Sequence, residues 1–210
     1  MMNDNDNLPN LIFENQAYDL GYKFVVGIDE AGRGPLAGPV VAAACYLPKN
    51  LDVSGIKDSK QLDPHKRKEI YKLLTTHPEV VFSVGIVNAD EIDTTNILQA
   101  TMQAMLKAVN KLRLGVDYLL IDGNTFPKTH LPGLALIKGD ERSVSIAAAS
   151  IIAKEVRDQI MMEYHQKWPT HGFNFNKGYA TREHILAVKT YGITPIHRLS
   201  FEPIRSLVKR

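Results

Sequence analysis

Apolar positions in this chain fall first into short runs and later into helical stripes. Residues 24–29 are β-rich, Pro39 to Leu47 form a second apolar run, and residues 80–87 form a third. Runs of this length, bounded by glycine and proline, predict strands. Between the second and third runs, Asp63-Pro64 has the form of an N-cap with proline at the first helical position. A helix is expected from there to about Thr76, with Ile70, Leu73 and Leu74 on its apolar face. From Ala89 to Leu112, the residues Ile97, Leu98, Met102, Met105, Leu106, Val109 and Leu112 recur at helical spacing. They predict one long helix, stopped by Gly115, in which the methionines fill core. Residues 116–121 predict a buried strand ending at Asp122, and Leu134 to Ile137 another that leads into Lys138-Gly139-Asp140. A helix is expected from Ala147 to Tyr164, with Ile152, Val156, Ile160 and Tyr164 as one stripe. Thr181 caps a last helix to about Tyr191.

Three early strands followed by strands alternating with helices predict an α/β fold, a mixed five-stranded sheet flanked by helices. The first three strands suit an antiparallel meander. The later two need helical crossovers and are expected to be parallel. No internal repeat and no linker rich in glycine or serine divides the 210 residues. The expected organisation is a flexible polar tail over residues 1–23 and a single catalytic domain over 24–210 that includes a helical C-terminal segment.

Composition adds little until its distribution is considered. The apolar share of 44% and charged share of 23% are ordinary for a globular protein. No apolar run reaches membrane-spanning length, and the N-terminus lacks the basic and apolar regions of a signal peptide. The single cysteine, Cys45, lies in an apolar run and reads as a small buried hydrophobe. A cytoplasmic location is expected, without a membrane partner. The net charge is +2, of which residues 1–23 hold −3 and the remainder +5. The basic end, with Arg198, Arg205, Lys209 and Arg210 against Glu202, is compatible with a phosphate backbone or with a solvated face.

Candidate chemistry gathers where strands are predicted to end. Asp29 and Glu30 close the first strand, Asp122 the fourth, and Asp140 follows the fifth. Carboxylates converging from three strand ends make a site for a hard cation, and such sites do phosphoryl chemistry. Taken singly, each has a structural alternative. Asp29 and Glu30 could be a solvated strand end, Asp122-Gly123 a hairpin turn, and Asp140 an N-cap. Gly32-Arg33-Gly34-Pro35-Leu36-Ala37 formally matches a dinucleotide fingerprint, but a strand-like segment follows where that motif requires a helix. No Gly-Lys-Ser/Thr makes a phosphate-binding P-loop, no histidines pair at helical i,i+4 spacing, and no serine lies in a G-x-S-x-G elbow.

The run from Gly27 to Val40, with Gly27-Ile28-Asp29-Glu30-Ala31-Gly32-Arg33-Gly34 at its head, closely resembles the signature of type 2 ribonucleases H, in particular the bacterial ribonuclease HII family. The likeness continues at Asp58-Ser59-Lys60-Gln61-Leu62, Leu120 to Asn124, Lys138-Gly139-Asp140, Ala148 to Lys154 and Asn176-Lys177-Gly178-Tyr179, and covers residue 24 to about residue 203. Leu199 and the segment from Glu141 to Ser145 depart from the family pattern. The short leader leaves no room for the extra N-terminal domain of ribonuclease HIII. The C-terminus shows no sliding-clamp peptide, which favours a bacterial type over an archaeal one.

The resemblance implies a ribonuclease H-like fold and endonucleolytic cleavage of RNA in RNA–DNA hybrids and at ribonucleotides embedded in duplex DNA, as in ribonucleotide excision repair. It implies that Asp29, Glu30, Asp122 and Asp140 are catalytic and bind two Mg²⁺ or Mn²⁺ ions, with hydrolysis leaving 3′-hydroxyl and 5′-phosphate ends. It assigns recognition of the 2′-hydroxyl to the backbone of Gly32, Arg33 and Gly34. Tyr179 matches the tyrosine that packs on the sugar at the RNA-to-DNA junction, although a half-buried aromatic beside a glycine turn is its plain reading. Ser59 and Lys60 are phosphate contacts in this picture, and the enzyme is a monomer. Two alternatives stand beside it: a resolvase- or integrase-like two-metal nuclease, and a non-catalytic hybrid-binding module.

Overall fold

In the computed structural model, which describes residues 8–208, five strands form one mixed sheet in the order β3-β2-β1-β4-β5. Strand β1 (Val25–Ala31) lies at its centre, antiparallel to β2 (Val40–Tyr46) and parallel to β4 (Tyr118–Asp122). β3 (Val81–Val87) pairs antiparallel with β2, and β5 (Gly133–Leu136) parallel with β4. The expected meander and parallel pair are therefore both present. Strand alternation sends side chains to two different cores. Ala42 and Ala44 of β2 face one side, packed with Met105, Ala108 and Val109 of α4 (Ile97–Lys111). Ala43 and Cys45 face the other, packed with Ala148, Ile151 and Ile152 of α5 (Val144–Lys167). Small residues on β2 and α5 let the two backbones come close. At Gly27 on β1, a Cβ would lie within contact distance of the Ser145 carbonyl group, so only glycine fits.

Four expectations about elements need correction. The helix expected over 89–112 is two, α3 (Ala89–Thr94) and α4. Thr94 and Thr95 turn their hydroxyls back onto the Glu91 carbonyl, and the Asn96 side chain caps the Gln99 amide, so a new helix starts at Ile97, the first of the periodic apolar residues. In α2 (Pro64–Thr76), capped by Asp63 as expected, Ile70 and Leu74 are buried but Leu73 is exposed. In α5 the deeply buried stripe runs through Ala153, Arg157 and Met161, not through Val156, Ile160 and Tyr164. The β4–β5 crossover is made by residues 123–132 without a helix, its Phe126 and Leu131 packing into the α4-side core. Because β4 and β5 are parallel, Asp122-Gly123 is not a hairpin turn.

The N-terminal segment also differs from a polar tail. Ile12–Asp19 form α1, and buried Glu14 accepts hydrogen bonds from the Ser143 hydroxyl and from the Ser145 hydroxyl and amide at the start of α5. The asparagine- and aspartate-rich residues 1–7, and Lys209 and Arg210 of the basic end, lie outside the described residues. After α5, the helices α6 (Phe173–Asn176), α7 (Arg182–Tyr191) and α8 (Ile204–Val208) make the helical C-terminal extension. None of the described helices is long and apolar enough to cross a membrane.

Candidate active site

The parallel register of β1 and β4 pairs Ile28 with Ile121, so Asp29 and Asp122 lie one step further along neighbouring strands. Asp140 sits in a 3-10 turn just beyond β5, and its backbone does not cap α5; Ser143 does that. The four acidic residues thus come from three adjacent strand ends, as expected. Asp29 is 3% exposed and accepts the Glu30 amide at 2.6 Å. Burial, followed by the charges of Glu30 and Asp122, pushes its carboxyl well above the ordinary range. Glu30 is also raised by burial, against the pull of Arg33, whose guanidinium lies 3.1 Å from it. Asp122 is raised by burial and then by Asp140, although the Gly139 amide donates to it at 2.7 Å. Lys60 Nζ donates to Asp140 at 3.0 Å.

A cleft of about 300 Å³ opens over this group, lined by Asp29, Glu30 and Asp122 on one side and by Gly32, Arg33, Gly34 and Tyr179 on the other. Ser59 and Lys60 also line it; Asp140 lies behind Lys60 and reaches the cleft through that contact. Ser59 is turned inward, its hydroxyl 2.9 Å from Ser150. Tyr179 is 45% exposed and stands beside Gly34.

Among the described residues, no three His, Cys, Asp or Glu side chains are gathered closely enough to hold one ion. The positive charge nearest the carboxylates comes instead from Lys60 and Arg33, whose side chains are largely exposed. The donor chemistry does fit a hard divalent cation: the site offers carboxylate oxygen, and burial above all raises the pKa of three of its carboxyls.

Several residues that build this site had no place in it on the sequence alone, and Arg198, read there as part of a basic end open to a phosphate backbone or solvent, is turned inward. Arg198 is fully buried and donates to the carbonyls of Gly32 (2.6 Å), Arg33 (2.9 Å) and Gly38 (3.0 Å). Arg157, 1% exposed, donates to Pro39, Ala37 and Lys177. Burial lowers the pKa of both. The glycine loop is thus held from beneath by two guanidiniums, each using its fork of N–H groups on carbonyls. At Gly32, φ is +98° and a Cβ would collide with the Arg157 side chain, so the position requires glycine. In the sequence, Arg198 was one basic residue of a basic end and Arg157 one charge on a helix. Only the Ala148-Ala149-Ser150 motif marked Ser150.

Comparison with known proteins agrees with this fold. The family model described as Ribonuclease HII matches residues 26–204. A ribonuclease HII of Chlamydia trachomatis is 52% identical over 198 residues, which cover 94% of this chain and 91% of that protein. Among solved structures, the ribonuclease H2 of Pyrococcus horikoshii superposes with a TM-score of 0.76 at 30% identity, covering 90% of this chain and 98% of the other. The RNase HII of Archaeoglobus fulgidus, solved as a PCNA complex, has a TM-score of 0.74 at 25% identity, covering 86% and 96%.

Proposed function

The chain belongs to the ribonuclease HII family, and we propose that it cuts both within the RNA strand of RNA–DNA hybrids and at single ribonucleotides embedded in duplex DNA. The coarser activity is that of the family: a metal-dependent endoribonuclease of ribonuclease H type 2, acting on RNA–DNA hybrids. In the proposed reading Asp29, Glu30, Asp122 and Asp140 hold two divalent ions, Mg²⁺ or Mn²⁺. When bound, the ions stabilise charge on the attacking and leaving oxygens of an in-line phosphodiester hydrolysis that leaves 3′-hydroxyl and 5′-phosphate ends.

The remaining steps belong to the protein. Backbone groups of Gly32, Arg33 and Gly34 meet the 2′-hydroxyl, the one group that separates RNA from DNA at a nucleotide. Backbone groups read a sugar without reading a base. Arg198 fixes the Gly32 and Arg33 carbonyls, and Arg157 those of Ala37 and Pro39 just after them, so recognition costs little reorganisation. Tyr179, half-exposed at the cleft wall, offers its ring to the sugar on the DNA side of the junction. Lys60 moves off Asp140 and turns to a substrate phosphate, with Ser59 beside it. A monomer working in the cytoplasm, with residues 24–210 as one catalytic domain, completes the proposal.

The observation that carries this reading is the meeting, in one cleft, of acidic strand ends with a glycine loop locked by buried arginines. A resolvase has a use for the first but none for the second. The test is a DNA duplex containing one ribonucleotide, an RNA–DNA hybrid and an all-DNA duplex, each incubated with Mg²⁺, Mn²⁺ or excess chelator. Cleavage of the first two with either metal is expected, with none in chelator and none of all-DNA. Undiminished cleavage in chelator, or equal cleavage of all-DNA, rejects the mechanism.

A further inference from the structure

Behind Tyr179, away from the carboxylates, lie two buried histidines. His184 on α7 is 0% exposed and His197 2%. The Thr194 amide donates to His197 Nδ1 at 2.8 Å, so that nitrogen is an acceptor and the proton of the neutral ring is on Nε2. His197 Nε2 lies 3.0 Å from His184 Nε2, which must therefore accept. The His184 proton is then on Nδ1, 2.8 Å from the Tyr179 carbonyl, which accepts it. One backbone amide thus fixes both tautomers, and every polar atom of the two rings is used. Phe173 packs against both rings, its centroid 5.4 Å from His184 and 5.8 Å from His197.

The two ends of this relay reach the two parts of the recognition surface. On one side His184 holds the Tyr179 carbonyl. On the other, His197 pairs with Ala37 as an isolated bridge, and the next residue is Arg198, whose guanidinium grips Gly32 and Arg33. The Leu36 amide also donates to the Gly178 carbonyl, tying the loop directly to the residue before Tyr179. We infer that His184 and His197 are positioning residues that set the Tyr179 ring relative to the Gly32–Gly34 backbone, so that ribose and junction sugar are read together. The inference rests on the proposed reading of Tyr179 and the glycine loop.

Two measurements test it. Long-range ¹H–¹⁵N spectra of the metal-free protein at neutral pH report the tautomers without any assay. The Nδ1–H form of His184 and the Nε2–H form of His197 are expected; the reverse pair, or a charged ring, overturns the relay. Kinetics then test its purpose. His184→Phe keeps a ring but removes the donor, and should lower kcat/KM on a single-ribonucleotide duplex roughly tenfold more than on a long hybrid. His184→Asn places an amide N–H near the position of Nδ1 and should recover most of that ratio. Added to Tyr179→Ala, His184→Phe should not change the ratio further. Equal losses on both substrates for Phe and Asn variants alike mean a packing role and overturn the inference. If His184→Phe does not fold, the Asn variant must keep the wild-type ratio, or the inference falls. Should the wild-type enzyme leave single ribonucleotides uncut, the proposed function falls, while the tautomers still decide the relay.

Discussion

Asp29 is the most deeply set of the strand-end carboxylates, and its charge is opposed by burial, Glu30 and Asp122 together. Replacing it with asparagine keeps the shape and the acceptor for the Glu30 amide but removes the charge. Asp29→Asn should abolish hydrolysis under saturating metal, while the Tm of the metal-free protein is no lower than wild type. A variant that still turns over at the wild-type rate would show that Asp29 is no ligand. Tyr179 makes the complementary case, since its ring is exposed at the cleft wall and no side-chain charge is at stake. Stacking on an aromatic is worth about 1–3 kcal/mol. Tyr179→Ala should therefore cost roughly one to two decades in kcat/KM at a single embedded ribonucleotide. A long hybrid offers other contacts and registers and should suffer less. Equal losses on the two substrates would remove the junction-reading role. The acidic residues were visible in the sequence because each closed an apolar run. Arg198 was not, because a charged residue in a basic tail gives no sign that it will be buried against carbonyls.

Between elements, the contact that matters most for the site is β1 against α5. It brings Ser150 to the wall of the cleft that Asp29 lines, and Arg157 to the Ala37 and Pro39 carbonyls after the glycine loop, from a single helix. That helix can approach only because Gly27 has no side chain facing the start of α5. Gly27→Ala should destabilise the fold by about 1–3 kcal/mol or more through overpacking, read as a lower urea midpoint with an unchanged slope. A midpoint equal to wild type would mean that β1 and α5 can separate without cost. The same scale shows what periodicity misses. The seven apolar residues at helical spacing begin only at Ile97, and the helix expected from Ala89 is divided before them because Thr94, Thr95 and Asn96 spend their side chains on backbone groups. Periodicity reports which face is buried, not whether the backbone ladder is continuous.

Across the whole molecule, acid should act through the buried histidines. Burial, then the neighbouring His184, brings His197 down to about 4 from an ordinary 6.5. The unfolded chain takes up this proton near 6.5 and the folded chain only near 4, so the unfolded state binds more protons between them. The contribution of His197 to stability is complete above 6.5 and is lost as pH falls toward 4, an effect of roughly 3 kcal/mol. His184 shifts in the same direction, whereas the raised carboxyls of Asp29, Glu30 and Asp122 have the opposite slope. Chemical denaturation of wild type and His197→Gln across this range isolates the term. The stability advantage of wild type should shrink on acidification, and a constant difference would show that the ring does not titrate on unfolding. The sequence by itself determined the five strands, the acidic strand ends and the glycine loop, since apolar run length and turn residues are local properties. Only the tertiary structure decided that Lys60 faces Asp140, that Arg157 and Arg198 lie buried under the loop, and that His184 meets His197. Those contacts join residues far apart in the chain, and a polar side chain enters a core only when a distant partner is there to satisfy it, which no local pattern records.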